Sequence, residues 1–309
     1  MPGRLLPGPH APPGRRGPGL TAVRPTPYDT DPGKDAVTDD SGTPEDLDRH
    51  LLDVALEAAR RAGALLRDGR PEDLAVAATK TSPIDVVTEM DLAAEKLITG
   101  YLAEARPDDG LLGEEGASRE GTSGVRWVID PLDGTVNYLY GLPSWSVSIA
   151  AERDGVALAG VVEAPMRRET YHAVRGGGAF VNGRAVRCRP APQDFSQALI
   201  GTGFGYLTER RVAQAEVARQ LLPKVRDIRR AGSAAIDLCD VGCGRLDGYY
   251  ERGLNPWDRA AGVLFAREAG ALTGGRPGSP AGDDLTVAGS PGLFEPLQAF
   301  LEDLGAWHD

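Results

Sequence analysis

Cysteine, histidine and aromatic residues are scarce in this chain of 309 residues, which has three cysteines, four histidines and 6% aromatic residues. Three cysteines are too few, and odd in number, for a disulfide framework. Cys239 and Cys243 are four residues apart and are predicted to be neighbours on a buried helix face rather than a metal or redox pair. This cysteine usage favours a reducing, cytoplasmic location.

The sequence also lacks long apolar runs and an excess of positive charge. No apolar run approaches the roughly 18 residues that a membrane-spanning helix needs, so we expect no membrane association. The 34 Lys and Arg against 45 Asp and Glu give a formal net charge of -11. Such an acidic surface repels a nucleic-acid backbone, so no nucleic-acid partner is expected. The same excess leaves carboxylates available for hard cations.

Residues 1–44 differ in composition from the rest of the chain. They contain ten of the 24 prolines and show little apolar periodicity. Such a segment cannot bury enough apolar surface to offset the entropy lost on ordering. We therefore predict a disordered tail at 1–44 and a folded domain at 45–309.

Helical and strand patterns mix throughout the folded part. Helical spacing predicts helices from about residue 45 to 67 and 88 to 105, the second capped by Thr88 and directing Leu92 inward with other apolar residues. Strands are predicted in most of the segment 125–174 and near 198–201, 225–229 and 246–251. Further helices are predicted at 209–221, 233–241, 256–269 and from Ser290 to about 304. The fold class is therefore α/β or α+β, with layered sheets and helices.

The segment Trp-Val-Ile-Asp-Pro-Leu-Asp-Gly-Thr is the most informative part of the sequence. A buried strand ends at Asp130, and Pro131 is expected to force a turn that lets Asp130 and Asp133 face one point. The Leu132 carbonyl could supply a third oxygen to a cation. Gly134 and Thr135 are expected to open a short helix whose N–H groups would bind an anion. Considered alone, Asp133 would be interpreted as a helix cap and Asp130 as a turn residue at the end of a strand.

Two further segments place acidic residues at the ends of predicted elements. A short apolar strand leads through a glycine to Glu114 and Glu115, which alone would indicate a solvated turn. Asp258 lies in the first turn of the helix capped by Asn255, where pairing with the helix dipole would explain it. Carboxylates that converge from remote segments beside an anion site are the parts that metal-assisted phosphoryl hydrolysis requires.

Four motifs resemble those of the inositol monophosphatase family, a group of magnesium-dependent, lithium-sensitive phosphatases. They are Gly-Glu-Glu at 113–115, Asp-Pro-Leu-Asp-Gly-Thr at 130–135, Trp-Asp-Arg-Ala-Ala-Gly at 257–262 and the segment 80–91 that begins Lys-Thr-Ser-Pro. All four occur in the family's order, and the resemblance covers roughly residues 47–304. Mild departures are Gly116 and Tyr138, where the family often has Ser and Phe; neither removes a ligand.

The resemblance implies a five-layer α-β-α-β-α sandwich, usually found as a homodimer, with Mg²⁺ as cofactor. It also implies roles for individual residues. The implied magnesium ligands are Glu114, Asp130, the Leu132 carbonyl, Asp133 and Asp258. The implied catalytic residues are Glu114 and Thr135, which would position the attacking water, and Asp91, which would support Thr135. The implied substrate-binding residues are Gly134, Thr135, Gly232, Ser233, Ala234, Glu251 and Asp258.

The expected substrate is a small polyol or sugar phosphate, with myo-inositol monophosphate first. Histidinol phosphate, fructose 1,6-bisphosphate and 3′-phosphoadenosine 5′-phosphate are alternatives within the same chemistry. Glu251 favours a hydroxyl-rich substrate, because a carboxylate accepts hydrogen bonds from neighbouring hydroxyls. A non-catalytic regulatory or binding protein on the same scaffold is the alternative from a different class. It would be expected to lack one of the ligands, and none is missing.

Overall fold

The computed structural model describes residues 43–83 and 85–308. The prediction of a disordered tail therefore lies outside the described residues, except at its last two positions. There Thr43 accepts a hydrogen bond from the backbone of Asp46, which in turn accepts one from the Thr43 backbone. This reciprocal capping box fixes the start of the first helix at Pro44.

The helices agree with the predicted ones to within a few residues. Seven α-helices occur in the described part of the chain: α1 Pro44–Asp68, α2 Glu89–Ala105, α3 Thr135–Leu139, α4 Thr208–Leu221, α5 Ala234–Gly242, α6 Pro256–Glu268 and α7 Phe294–Asp303. The last helix begins at Phe294 rather than Ser290, because Gly292 has a φ of +90° and the preceding residues form a turn. Leu92 is 50% exposed, so its predicted inward position is wrong. The buried face of α2 is formed by other positions, including Ala94, Ile98 and Leu102.

Fifteen strands occur in the described residues. They are β1 Ala78–Thr79, β2 Val86–Val87, β3 Gly110–Gly113, β4 Ser118–Arg119, β5 Arg126–Asp133, β6 Ser146–Arg153, β7 Val156–Ala164, β8 Glu169–Val174, β9 Gly178–Val181, β10 Arg184–Val186, β11 Leu199–Thr202, β12 Asp227–Arg229, β13 Gly248–Glu251, β14 Leu272–Gly274 and β15 Thr286–Gly289. Eight form one sheet in the order β10-β9-β8-β7-β6-β5-β3-β4. Five form a second sheet in the order β12-β11-β13-β15-β14, and β1 and β2 form a separate ribbon.

The apolar clusters show five layers. Helices α1 and α2 bury their apolar faces against β5, β6 and β7 of the large sheet. Helices α5 and α6 pack on the other side of that sheet and also against β13 and β15 of the small sheet. Helices α4 and α7 cover the outer face of the small sheet. This is the α-β-α-β-α sandwich that the resemblance implied. Among the described residues, no helix combines the length and apolar character needed to cross a membrane.

Close packing of the two central helices depends on a glycine. A Cβ added to Gly262 on α6 would lie 2.8 Å from the Leu238 Cβ on α5, closer than real Cβ atoms approach. The small side chains at this point therefore allow α6 to approach α5. Because Asp258 lies one turn earlier on α6, this packing also fixes the position of its carboxylate.

The predicted turn at Pro131 is wrong. Strand β5 continues through Pro131 to Asp133, and its register with β6 shifts between Asp130 and Asp133. Proline has no N–H for a regular ladder, so it is accommodated at this irregular point of the strand. The shift still leaves both aspartates at the same end of the strand, which is where the candidate site lies.

Candidate active site

Two parallel strands bring the first carboxylates together. Strand β3 pairs parallel to β5, with Gly113 opposite Ile129. Glu114 follows Gly113 and donates its backbone N–H to the Ile129 carbonyl at 3.1 Å. Since parallel strands end at the same sheet edge, Glu114 lies beside Asp130, although 16 positions separate them in sequence.

Helix α6 adds a third carboxylate. Asp258 lies in its first turn and accepts a 2.6 Å hydrogen bond from the backbone N–H of Asn255, the capping residue. The Ser148 hydroxyl on β6 donates to the Trp257 carbonyl at 3.1 Å, which ties this turn to the large sheet. Carboxylate oxygens of Glu114, Asp130 and Asp258 all lie within 4.8 Å of one another.

The electrostatics of this cluster indicate a cation site. Burial raises the pKa of Asp130 well above its usual range, and the charges of Glu114, Asp133 and Asp258 raise it further. Burial likewise raises the pKa of Asp258, followed by the charges of Glu114 and Asp133. Two unit charges about 4 Å apart repel by about 4 kcal/mol at an effective dielectric of 20. A divalent cation with a preference for oxygen ligands fits this donor set and would remove the repulsion.

Asp133 lies at the same edge but its carboxylate is held by α5. It accepts a 2.5 Å hydrogen bond from the Ser233 hydroxyl and a 2.9 Å bond from the Ala235 N–H, with the Ala234 N–H at 3.3 Å. Burial raises the pKa of Asp133 to about 6 against the opposing effect of these bonds. Asp133 thus faces both the acidic cluster and the N-terminus of α5.

A short hydrogen-bond chain joins α2 to the start of α3. The Thr135 Oγ1 lies 3.0 Å from Asp91 Oδ1 and 3.0 Å from the Leu132 carbonyl oxygen. The other Asp91 oxygen accepts from the Thr88 hydroxyl at 2.5 Å and the Thr88 N–H at 2.9 Å. Asp91 is 1% exposed and Thr88 is fully buried. The Thr135 hydroxyl is therefore fixed from behind by a buried carboxylate.

Gly134 is required by the close approach of two loops. Its φ is +94°, and a Cβ there would lie 2.9 Å from the Ser144 carbonyl oxygen and 3.0 Å from the Gly232 carbonyl oxygen. The Asn137 amide donates to the carbonyls of Ser144 at 2.5 Å and Ala231 at 2.9 Å. These contacts bring Gly232, one of the predicted substrate-binding residues, against the start of α3.

All of these segments surround one cavity of about 390 Å³. Ten of the twelve predicted site residues line it: Glu114, Asp130, Leu132, Asp133, Gly134, Thr135, Gly232, Ala234, Glu251 and Asp258. The other two, Asp91 and Ser233, lie behind the wall and each holds a residue that lines it. Glu251, at the end of β13, accepts a 2.5 Å hydrogen bond from the Tyr249 hydroxyl. Burial raises its pKa to about 7.

The sequence left Lys80 undecided between a surface lysine and a contact in the site wall. Lys80 lines the cavity, with its Nζ 2.8 Å from Glu114 Oε1 and 2.7 Å from Glu115 Oε1. Burial lowers the pKa of this amine, but the two glutamates outweigh that effect and the net shift is upward. Burial also raises the pKa of Glu115 to about 7.

Tyr206, Arg210 and Asp237 are among the cavity-lining residues that sequence reasoning missed. Tyr206 and Arg210 carry no motif: Tyr206 lies in the loop between β11 and α4, and Arg210 lies in the first turn of α4. Asp237 had a usable signal, because it interrupts an otherwise apolar helical run of Ala, Ile, Leu and Cys after the capping residue Ser233.

Comparison with known proteins agrees with this geometry. The sequence profile of the inositol monophosphatase family matches residues 47–296. The chain belongs to this family. The family is one of metal-dependent phosphatases, and the acidic cluster described above gives this member the residue types for a metal site.

Several relatives of this inositol monophosphatase family member span nearly the same length. An inositol-1-monophosphatase of Mycobacterium leprae is 43% identical over 84% of this chain and 96% of its own length. The Nus factor SuhB of Escherichia coli is 39% identical over 82% of this chain and 96% of its own length. The crystal structure of the extragenic suppressor protein SuhB of Bartonella henselae superposes with a TM-score of 0.75 at 38% identity, covering 81% and 97% of the two chains.

Proposed function

We propose that this protein hydrolyses a phosphate monoester of a small polyol or sugar, with myo-inositol monophosphate as the first candidate and Mg²⁺ as the cofactor. The observation that carries the proposal is the convergence of Glu114, Asp130 and Asp258 within 4.8 Å from three remote segments. The 43% identical relative of Mycobacterium leprae, named inositol-1-monophosphatase, supports the choice of substrate. The proposal includes a cytoplasmic location and a homodimeric state, which remain predictions.

The proposed metal ligands are Glu114, Asp130, the Leu132 carbonyl, Asp133 and Asp258. Mg²⁺ held there would neutralise the phosphate charge and lower the pKa of a bound water. These oxygen donors suit magnesium, which keeps several waters and takes carboxylates readily.

The chain's own groups then bind and orient the reactants. The N–H groups of Gly134 and Thr135 stand at the start of α3, where the first helical N–H groups have no partner within the helix, and would bind the phosphate oxygens. Glu114 and the Thr135 hydroxyl would orient the attacking water, with Asp91 holding Thr135. In the overall reaction the water oxygen bonds to phosphorus, the ester P–O bond breaks, and the alcohol leaves carrying a proton. No covalent enzyme intermediate is needed.

The part of the cavity lined by Glu251 would bind the alcohol. Glu251 faces it with a carboxyl whose pKa burial raises to about 7, and Gly232 and Ala234 form the adjoining wall. A carboxylate accepts from vicinal hydroxyls, so this wall favours a polyol over an adenine. Histidinol phosphate, fructose 1,6-bisphosphate and 3′-phosphoadenosine 5′-phosphate are the alternative substrates.

A direct test is phosphate release from inositol 1-phosphate and these three alternatives, measured with and without Mg²⁺. We expect Mg²⁺-dependent release, fastest from inositol 1-phosphate. Asp133→Asn is expected to nearly abolish turnover with the far-UV circular dichroism unchanged. Asp154→Asn in the β6–β7 turn is the matched control, since Asn tolerates its φ of 53°. Release without added metal, or wild-type rates for Asp133→Asn, would contradict the proposal.

A non-catalytic role is the second candidate, and the name Nus factor SuhB of the Escherichia coli relative favours it. The complete set of acidic residues in the cavity favours catalysis instead. Absence of Mg²⁺-dependent phosphate release from all four substrates by folded protein would favour the non-catalytic role.

A further inference from the structure

Asp237 is a buried carboxyl for which the fold supplies no partner. It lies on α5 and is 2% exposed. Among the residues that the structure describes, every other buried carboxyl has a hydrogen bond or an ion pair, as Asp240 has with Arg167 and Asp247 with the backbone of Leu199. The Asp237 carboxyl has no hydrogen bond and no ion pair with any residue that the structure describes. Its oxygens are therefore available to a group that enters the cavity, which Asp237 lines.

The position of Asp237 directs it to the cavity. Ser233 caps α5 and holds Asp133, and Asp237 follows four residues later, on the same face of the helix and one turn further along. Asp237 lines the cavity together with Glu251 of β13. The two carboxyls come from different elements, α5 and β13, and lie close enough for the charge of Glu251 to act on Asp237.

Burial and neighbouring charges favour the neutral form of the Asp237 carboxyl. Burial raises the pKa of Asp237 well above its ordinary value, and the charges of Glu251, Asp240 and Asp133 raise it further against a smaller opposing effect of Arg167. A neutral carboxyl offers one O–H donor and one carbonyl acceptor. A hydroxyl group of a polyol has the complementary donor and acceptor.

We propose that Asp237 is a specificity-determining residue that hydrogen-bonds a hydroxyl group of the substrate alcohol, next to the hydroxyl bound by Glu251. The inference rests on the proposed phosphatase function and narrows its substrate class to phosphate esters whose alcohol bears adjacent hydroxyls.

The test compares two substrates and two variants. Inositol 1-phosphate has a hydroxyl-rich alcohol, whereas p-nitrophenyl phosphate presents the same phosphate without hydroxyls. Asp237→Leu removes both hydrogen-bonding atoms while keeping a side chain branched at the same carbon, and Asp237→Asn keeps a donor and an acceptor. We expect Asp237→Leu to lower kcat/KM for inositol 1-phosphate by about 10-fold, equivalent to one lost hydrogen bond, chiefly through KM. Its rate with p-nitrophenyl phosphate should change by less than about twofold, and Asp237→Asn should retain most of the preference.

Thermal unfolding gives a second measurement that does not depend on activity. If Asp237 serves the substrate, Asp237→Leu should unfold at no lower a temperature than the wild type, because the substitution removes no hydrogen bond or ion pair between described residues of the folded protein. A lower unfolding temperature for both variants, or an equal loss with both substrates, would overturn the inference. If wild-type protein hydrolyses neither ester, the proposed function fails, and the unfolding temperatures still decide whether Asp237 is structural.

Discussion

The Asp133 carboxylate accepts a 2.5 Å hydrogen bond from the Ser233 hydroxyl, which joins the end of β5 in the large sheet to the start of α5 between the sheets. The same hydroxyl caps α5 by accepting from the Ile236 N–H at 3.3 Å. One side chain therefore both begins a helix and orients an acidic residue of the site.

Ser233→Ala is expected to lower both stability and turnover. Loss of the cap should reduce the free energy of unfolding by about 1 kcal/mol. Turnover should fall further than stability explains, because the Asp133 carboxylate loses its shortest contact. Ser233→Thr keeps the hydroxyl and is the matched control. Urea unfolding and steady-state kinetics measure the two effects, and full turnover by Ser233→Ala would show that the contact does not orient Asp133.

Mg²⁺ is expected to raise the thermal unfolding temperature. The buried carboxyl of Asp130 and the partly buried carboxyls of Asp258 and Glu114 repel one another in the metal-free protein. A cation that binds only the folded state stabilises it by mass action. At a concentration 100 times the Kd the gain is about 2.7 kcal/mol. Differential scanning fluorimetry from zero to millimolar Mg²⁺ measures it.

Asp130→Asn is the control for this effect, because it removes one buried charge while leaving the side-chain volume nearly unchanged. The metal-free variant should unfold at a higher temperature than metal-free wild type, and Mg²⁺ should raise its unfolding temperature less. An unfolding temperature of the wild type that does not respond to Mg²⁺ would argue against the cation site.

The positions of the candidate site residues along the chain were easier to predict from the sequence than their arrangement in space. Each acidic residue lies at the end of an apolar strand or in the first turn of a helix. Such positions can be predicted from the local sequence pattern alone. The pairing of β3 with β5, which sets Glu114 beside Asp130, is a long-range contact that no local pattern encodes. A turn at Pro131 was wrongly predicted because the pairing of β5 with β6, which is also a long-range contact, decides whether the chain turns there. The proline itself does not.

Residues outside the motifs were hardest to predict. The sequence indicated only that Asp237 belongs to a helix. Its proposed role depends on the absence of a hydrogen-bonding or ion-pair partner, which is a property of the packed structure. Leu92 was assigned to the core because apolar residues usually are, whereas the buried face of α2 is fixed by how that helix lies on the large sheet.

Glu251 is expected to give a pH-dependent stability in the metal-free protein. Burial raises its pKa from 4.5 to about 7, so between these values the folded protein holds a proton that the unfolded chain has released. The contribution of Glu251 to the free energy of unfolding is therefore fully present below about pH 4.5 and is lost as the pH rises to about 7. The total loss would be about 3 kcal/mol.

Glu251→Gln cannot titrate and isolates this contribution. The difference in unfolding free energy between wild type and variant should decline from pH 4.5 to 7 and then level off. Urea unfolding at several pH values measures it, and a constant difference across this range would mean that Glu251 is ionised throughout in the folded protein.

Gln214 on α4 is expected to position the cavity wall without touching substrate. It is buried, accepts from the Gly205 N–H at 2.8 Å, and donates to the carbonyls of Gly203 at 3.4 Å and Arg252 at 3.3 Å. It thereby ties the loop after β11 to the loop after β13, and both loops line the cavity beside Glu251.

Gln214→Leu should loosen both loops, because three backbone groups lose their side-chain partner. We expect KM for the phosphate ester to rise several-fold, by about the value of one or two hydrogen bonds, with kcat changed less, since Glu114 and Asp130 lie on other elements. Gln214→Glu keeps the acceptor for the Gly205 N–H but loses the donor, so an intermediate KM is expected. A fall in kcat at unchanged KM would instead place the effect of Gln214 on the metal-binding end of the cavity.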